Sequence, residues 1–457
     1  MKKNTIFLLY ITLFFSIGIS QRYFSDPTEI ISFGINNSKE IQENKKFYQE
    51  KIKSAKYALE PFLPQIGINF SNSKNVPIES PDTKIKSINI SINQKIYDNR
   101  KEELTYKYNK QNALIDYLTF LQSIKNFELE IIEKYYSLIL QHKSIQLNEE
   151  LLLSMNNELK IYEYEYNNGI GLKSDLIEYQ ISINELNNKI NDLKNEEENI
   201  KTDLLNILNI NPTEEVIFTE SNSQLKIEKE KIKKQQKLIE EKIITNDIEL
   251  KKIDLETSFQ KKQNFMNKLF FLPSISLHGE VSFSGNNFPL TQPTYSVSLV
   301  LSFDSLPFFP TNFSNSLSVN KKRINSASNN FSTNIVPELN YFSNQRLRKI
   351  SYNQSLIIQE NKLKELKKST TQLINQHDSL IDFILLLTES IRLKEEKLSI
   401  IEYQSKNGLI KVSDYINEKI NLNEAKINLL NQQINLLLIQ KKLKILTGET
   451  KWKKDFY

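Results

Sequence analysis

Apolar positions follow two different periods along this chain. From Asp98 to Asn167, and again from Pro337 to Lys406, apolar residues are interleaved with Lys, Glu, Asn and Gln, without an internal proline or glycine. At 1.5 Å per residue each stretch predicts a helix of roughly 100 Å, where an ordinary globular helix has about a dozen residues. A shorter helical run follows each. Leu176, Tyr179, Ile183, Leu186, Ile190, Leu193, Ile200 and Leu204 recur at threes and fours with one slot polar, as do Ile416, Ile420, Ile427, Leu430, Ile434 and Leu437. Spacing that averages 3.5 marks helices that supercoil around neighbours.

The other period is two. "LPQIGINF" begins at Leu63 and "LPSISLHG" at Leu272, and in each a proline closes the preceding helix before alternation starts. Ile66, Ile68 and Phe70 form one run and Ile88, Ile90 and Ile92 the next. Ile275, Leu277, Val281 and Phe283 form a third, and Tyr295, Val297, Leu299, Leu301 and Phe303 a fourth. Alternation over eight to ten residues predicts four strands, each with one apolar and one polar face.

The order helix, strand, strand, long helix, turn, return helix therefore occurs twice, which predicts an internal duplication. The first repeat covers 21–208, a connector 209–223, the second repeat 224–448 and a short tail 449–457. The strand starts lie 209 positions apart (272 − 63) and the turns 239 (408 − 169), so the second repeat is longer between them. The Ser/Asn/Phe-rich stretch near Leu306 to Val336 is the expected insertion.

The turns themselves match. "NGIGLKSDLIEYQ" starts at Asn168 and "NGLIKVSDYINEK" at Asn407, in a chain with only 9 glycines. Gly169 and Gly408 suit the left-handed residue that ends a helix. Ser174 and Ser413 are expected to cap the returning helix, with Asp175 and Asp414 in its first turn, where negative charge suits the dipole.

At the N-terminus Lys2 and Lys3 precede the apolar run "IFLLYITLFFSIGI", and Gly18 and Ser20 supply small residues before Gln21. Residues 1–20 read as a cleavable signal peptide, too short in its apolar core for a membrane span of about 20 residues. A net charge of +5 over 457 residues, dispersed in mixed-sign helices, does not suit nucleic acid. The absence of cysteine excludes disulfides, thiolate metal sites and a lipid-modified N-terminal cysteine. His142, His278 and His377 fall in unrelated surroundings, so no metal or cofactor is expected. No nucleophile–base pair or phosphate loop is present, and the chain does not read as an enzyme.

Export, strand lengths near the ~9–11 residues that cross a bilayer, and polar loops favour lipid against the apolar strand faces. Four strands cannot close a barrel alone. Two copies would supply eight strands and a filled interior, three copies twelve strands and a lumen.

In its duplicated order, its "LP" strand starts, "QKIYDNR" after the second strand, the paired "NG…SD" turns and the closing "ILTGE", the chain resembles the TolC-type outer-membrane efflux proteins. The likeness covers everything after the signal peptide. It implies a mostly helical fold with a small β part, a trimeric 12-strand transmembrane β-barrel continued by a long periplasmic α-helical barrel. It further implies a passive exit duct of a tripartite efflux or type I secretion system, with a periplasmic adaptor protein and an inner-membrane transporter as partners. By the same resemblance Asp414 would sit in an acidic ring at the periplasmic entrance. Asp175 is its counterpart on the first hairpin, and Asn417 stands where some members carry a second acid. Gly169, Ser174, Gly408 and Ser413 would be hairpin-tip positions within reach of the adaptor. The alternative is a periplasmic coiled-coil adaptor or scaffold without a pore.

Overall fold

The structure, a computed structural model, describes residues 22–449 except 25, 58–59, 77–82, 99, 212–213, 215, 219–227, 305, 321–322, 336–339 and 408. The signal peptide, Gly408 and residues 450–457 of the tail lie outside the described residues. In chain order the elements are β1 (Arg22–Phe24), α1 (Pro27–Asn37), α2 (Lys39–Tyr57), β2 (Gln65–Asn75), β3 (Thr83–Asp98), α3 (Lys101–Asn167) and α4 (Lys173–Ile207). Then come β4 (Val216–Phe218), α5 (Gln236–Asn246), α6 (Ile248–Met266), β5 (Ser274–Gly285), β6 (Gln292–Phe303), β7 (Thr311–Asn320), β8 (Arg323–Thr333), α7 (Tyr341–Lys406) and α8 (Val412–Thr447). The two expected long helices are α3 and α7, of 67 and 66 residues.

The chain divides into two compact units. One comprises Met1–Gln42, Ile124–Ile239 and Thr371–Tyr457. Here α3 and α4 form one antiparallel hairpin and α7 and α8 another. Ile124, Ile131 and Tyr135 of α3 are buried, and in α4 Tyr179, Ile183, Leu186, Ile190 and Leu204 are buried on the stripe that the three-and-four spacing predicts. Lys194–Glu149 (2.7 Å) joins α4 to α3, Lys397–Glu418 (2.7 Å) joins α7 to α8, and Lys189–Glu424 (2.8 Å) joins α4 to α8. Exposed pairs of this kind contribute at most ~1 kcal/mol each, so the apolar stripes hold the hairpins. At the start of the unit β1 pairs in parallel with β4, and Phe24 stacks on Phe218 at 5.8 Å.

The other unit comprises Glu43–Ser123 and Glu240–Thr370. Its helical part packs through aromatic contacts, with Tyr48 5.3 Å from Tyr117 and Tyr108 4.3 Å from Phe259. Its sheet has six strands in the order β2-β3-β5-β6-β7-β8, every neighbour antiparallel. The four expected strands are β2, β3, β5 and β6. The stretch expected to be an insertion folds as β7 and β8, so this sheet has six strands where the sequence predicts four. The β7–β8 hairpin is built on the ladder of β6, whose Thr294 to Phe303 pair with Asn320 to Thr311.

Register places like with like across all six strands. On one face Phe70, Ile88, Phe283 and Pro293 follow one another across the strands, and Leu301 is followed by Phe313 and Phe331. On the other face Ser298, Ser316 and Ser328 form a rung, with a 2.6 Å Ser316–Ser328 hydroxyl bond. A one-residue slip would exchange the faces, so the two irregularities are informative. One extra residue in β8 brings Ile324 opposite Val319, and one extra in β3 brings Tyr97 opposite Ile275. The β8 bulge passes over Asn325 and returns Ile324 to the apolar face, whereas the β3 bulge sets Tyr97 there in place of Ile96.

That face is uncovered. Ile90, Leu277, Val297, Leu299, Phe313 and Leu317 are 38–54% exposed. At the helix-side end of the strands Phe270, Phe308, Tyr341 and Phe342 form an aromatic cluster with ring separations of 5.3–6.3 Å. At the other end Phe70 lies 6.1 Å from Phe288, whose ring carries the Lys86 ammonium at 5.2 Å. Among the described residues no helix is long and apolar enough to cross a membrane.

Candidate functional site

The sequence directs attention to the two helical turns, and the local bonds there repeat at matched positions. α3 closes with the Gly169 N–H donating to the Tyr166 carbonyl and the Ile170 N–H to the Glu165 carbonyl, both at 2.9 Å. Gly169 has φ +75°, the left-handed conformation that this closing motif requires. The Asn168 side chain donates to the Tyr164 carbonyl at 2.7 Å. At the end of α7 the Leu409 N–H donates to the Gln404 carbonyl at 2.9 Å, and the Asn407 side chain to the Tyr403 carbonyl at 2.7 Å. Each asparagine thus binds the carbonyl four residues back and each turn makes the same long-range backbone bond.

Nothing lies within 4 Å of a Cβ built on Gly169, so a substitution there meets backbone strain and no clash. Gly169→Ala is expected to destabilise the first hairpin by about 1–2 kcal/mol, read as a lowered thermal midpoint without loss of fold.

The serines do not cap. α4 and α8 begin at Lys173 and Val412, and their N-caps, Leu172 and Lys411, make no side-chain cap bond. Ser174 and Ser413 fall inside the first turn, two positions past the cap and too late to present their oxygens to the free N–H groups. Ser174 instead donates to the Asp175 carboxylate at 3.3 Å. Asp175 and Asp414 do occupy the first turn, as expected.

Burial separates these positions. Val412, Tyr415 and Ile416 of α8 are buried, whereas Asp414 and Asn417, three residues apart, are both exposed. Asp175 on α4 is half-buried, one turn before the buried Tyr179. Val412 and Ile416 share a core with Leu151 and Met155 of α3 and Tyr179, Ile183, Leu186 and Ile190 of α4. The beginning of the second return helix is therefore packed against the first hairpin.

A polar cluster that the sequence does not announce sits beside this core. The Glu158 carboxylate of α3 accepts from the Tyr179 hydroxyl of α4 at 2.8 Å and from the Tyr415 hydroxyl of α8 at 3.2 Å. The Lys419 ammonium donates to Glu158 and, at 2.8 Å, to Ser154. Burial, with the Glu158 charge second, raises the Tyr179 and Tyr415 hydroxyl pKa values, so both stay neutral donors. Five side chains from three helices thereby tie one hairpin to the other.

The histidines are each engaged separately. His142 lies 2.9 Å from Glu197, His278 contacts Asn93 and Glu280 on the polar sheet face, and the buried His377 lies 2.9 Å from Asp378. Among the described residues no group of three or more His, Cys, Asp or Glu is placed to hold a metal.

Comparison with known proteins gives a consistent picture. No protein-family model matches the chain, and no curated protein matches it in sequence. Solved structures do. CusC, described as forming a transmembrane channel, is 14% identical, with a TM-score of 0.75 over 95% of each chain. The outer-membrane protein VceC from Vibrio cholerae is 10% identical, with a TM-score of 0.72 over 92% of this chain and 96% of its own. The MtrE outer-membrane channel of Neisseria gonorrhoeae, in its open state, is 10% identical, with a TM-score of 0.69 over 92% of this chain and 88% of its own. With almost its whole length aligned, the chain has the fold of the TolC-type outer-membrane channels.

Proposed function

We infer that the protein is an outer-membrane exit duct, a homotrimer whose strands share one transmembrane barrel and whose duplicated helical hairpins form a periplasmic α-helical barrel. Cargo delivered by an inner-membrane transporter and a periplasmic adaptor passes through it passively. The observation that carries this reading is the sheet with an uncovered apolar face, a hydroxyl-rich opposite face and aromatic clusters at both strand ends. Lipid accepts such a face, and aromatic side chains favour the two membrane–water boundaries. A pore-less periplasmic adaptor has no use for a broad sheet that presents isoleucine and phenylalanine outward.

In this reading Asp414 and Asn417 face the periplasmic entrance, since both point away from the core that fixes the start of α8. Asp175 sits on the first hairpin and stabilises the N-terminus of α4. Gly169, Ser174 and Ser413, with Gly408, are the tip positions offered to the adaptor. Asp414→Asn removes one negative charge per copy from a narrow opening. Reversal potentials in a planar bilayer with a salt gradient are expected to show cation preference in the wild type and a clear loss of it in the variant. Unchanged preference would remove Asp414 from the entrance. Migration as a heat-sensitive trimer in detergent tests the duct itself, because a soluble adaptor would extract without detergent.

A further inference from the structure

We propose that the β7–β8 hairpin is part of the membrane wall, so that each copy contributes six strands and the seam between copies runs from β8 of one to β2 of the next. The proposal rests on the trimeric reading above. It changes the wall from twelve strands to eighteen (3 × 6), from the six strands in this sheet.

The hairpin has the properties of wall and not of an appendage. β7 is paired with β6 along its whole length, and β8 with β7 from Thr311↔Thr333 to Asn320↔Arg323. Both strands keep the in–out alternation of their neighbours. The turn between β6 and β7 returns through Phe308, whose ring lies 6.3 Å from Tyr341 and from Phe342 at the helix-side end. β7 leaves that end beside Phe303 and β8 returns to it, with Thr311 paired to Thr333, so the hairpin crosses the same depth as the other four strands.

Among the described residues β2 and β8 pair on one side only. Open edges do not persist in lipid, where every backbone N–H and C=O must be paired. The two edges suit each other and therefore a second copy of this chain. Both strands have 11 residues. With six antiparallel strands, β2 and β8 run in opposite directions, so an antiparallel seam closes for any number of copies. Apolar exposure peaks at these edges: Ile66, Ile68 and Phe70 of β2 and Ile324 and Phe331 of β8 are 68–70% exposed. A neighbouring strand would cover their flanks, as β6 does for Leu317 and Phe313. At equal strand tilt the diameter grows roughly in proportion to strand number, so the cylinder would be about half again as wide as one of twelve strands. Its added inner surface would carry Ser314, Ser316, Ser318, Ser326 and Ser328.

The chain contains no cysteine, so paired cysteine variants read the seam without background. Cysteines are introduced in pairs at the polar-face positions of β8 (Ser326, Ser328, Asn330, Ser332) and β2 (Asn69, Ser71, Ser73). A parallel set joins the same β2 positions with β6 (Ser296, Ser298, Val300, Ser302). Strands in register bring Cα atoms to about 4.5–5.5 Å, within disulfide reach, whereas three strand spacings separate them by about 14 Å. After mild oxidation in outer membranes, at least one β8–β2 pair is expected to give covalent dimers and trimers on a non-reducing gel, and no β6–β2 pair to do so. Covalent trimers from β6–β2 pairs would show that the hairpin lies outside a twelve-stranded wall and overturn the proposal. A detergent-stable trimer linked by neither set would also overturn it. A monomer in detergent would instead defeat the duct reading, and the proposal with it.

Discussion

Val297→Lys is expected to abolish assembly in the outer membrane, while Ser298→Lys, one residue along the same strand, leaves it intact. Val297 lies near the middle of β6 between Gly279 of β5 and Leu317 of β7, on the apolar face, and is 54% exposed. In water a lysine at so open a position costs little. Against lipid, a lysine near the bilayer midplane costs about 2–4 kcal/mol, and a trimer incurs it three times. Ser298 faces the opposite way, beside His278 and Ser316. There a lysine would extend into an aqueous lumen. The amount of heat-sensitive trimer in outer membranes, compared between the two variants, reads the difference. Equal tolerance of both would mean that the apolar face meets water or another protein, not lipid.

Glu158→Ala is expected to loosen the tie between the two hairpins while leaving each hairpin helical. The Lys419 and Glu158 side chains are only 13% and 24% exposed. Removing the carboxylate leaves a largely buried ammonium and two tyrosine hydroxyls without their acceptor. Breaking one partner of a buried pair costs about 3–5 kcal/mol, more than a hundredfold in a local opening equilibrium. Amide exchange should accelerate most around Tyr415 to Asn423 of α8. Glu158→Gln keeps an acceptor for the tyrosines and is expected to show a smaller effect. If exchange in α8 were unchanged by the alanine, the packing of Val412 and Ile416 alone would hold the hairpins together.

Much of this arrangement is legible in the sequence because it rests on local chemistry. The turns announce themselves through Asn168-Gly169 and Asn407-Gly408, and the long helices through unbroken stretches free of proline and glycine. β2, β3, β5 and β6 show because isoleucine, valine and aromatic residues alternate with polar ones. β7 and β8 were hidden by their composition. "TNFSNSLSVN" and "RINSASNNFST" are mostly Ser and Asn, and Asn has poor strand propensity. Their apolar positions, Phe313, Leu317, Val319, Ile324 and Phe331, become a pattern only once β6 sets the register and the bulge realigns Ile324.

The missing caps at the serines have a different origin. A Ser-Asp pair near a helix start satisfies the capping pattern by type, but one or two residues decide whether the oxygen meets a free N–H. The Glu158 cluster could not have been read at all. Glu158, Tyr179, Tyr415 and Lys419 come from three helices and share no spacing, and only the packing of α8 on the first hairpin brings them together.

The most direct test is to add purified protein, solubilised in detergent, to a planar lipid bilayer and record single channels. A sheet that is a share of a common cylinder predicts trimers in detergent and discrete, ohmic conductance steps. Monomers that produce no steps would show that the six strands form a sheet belonging to one chain, with no pore to close.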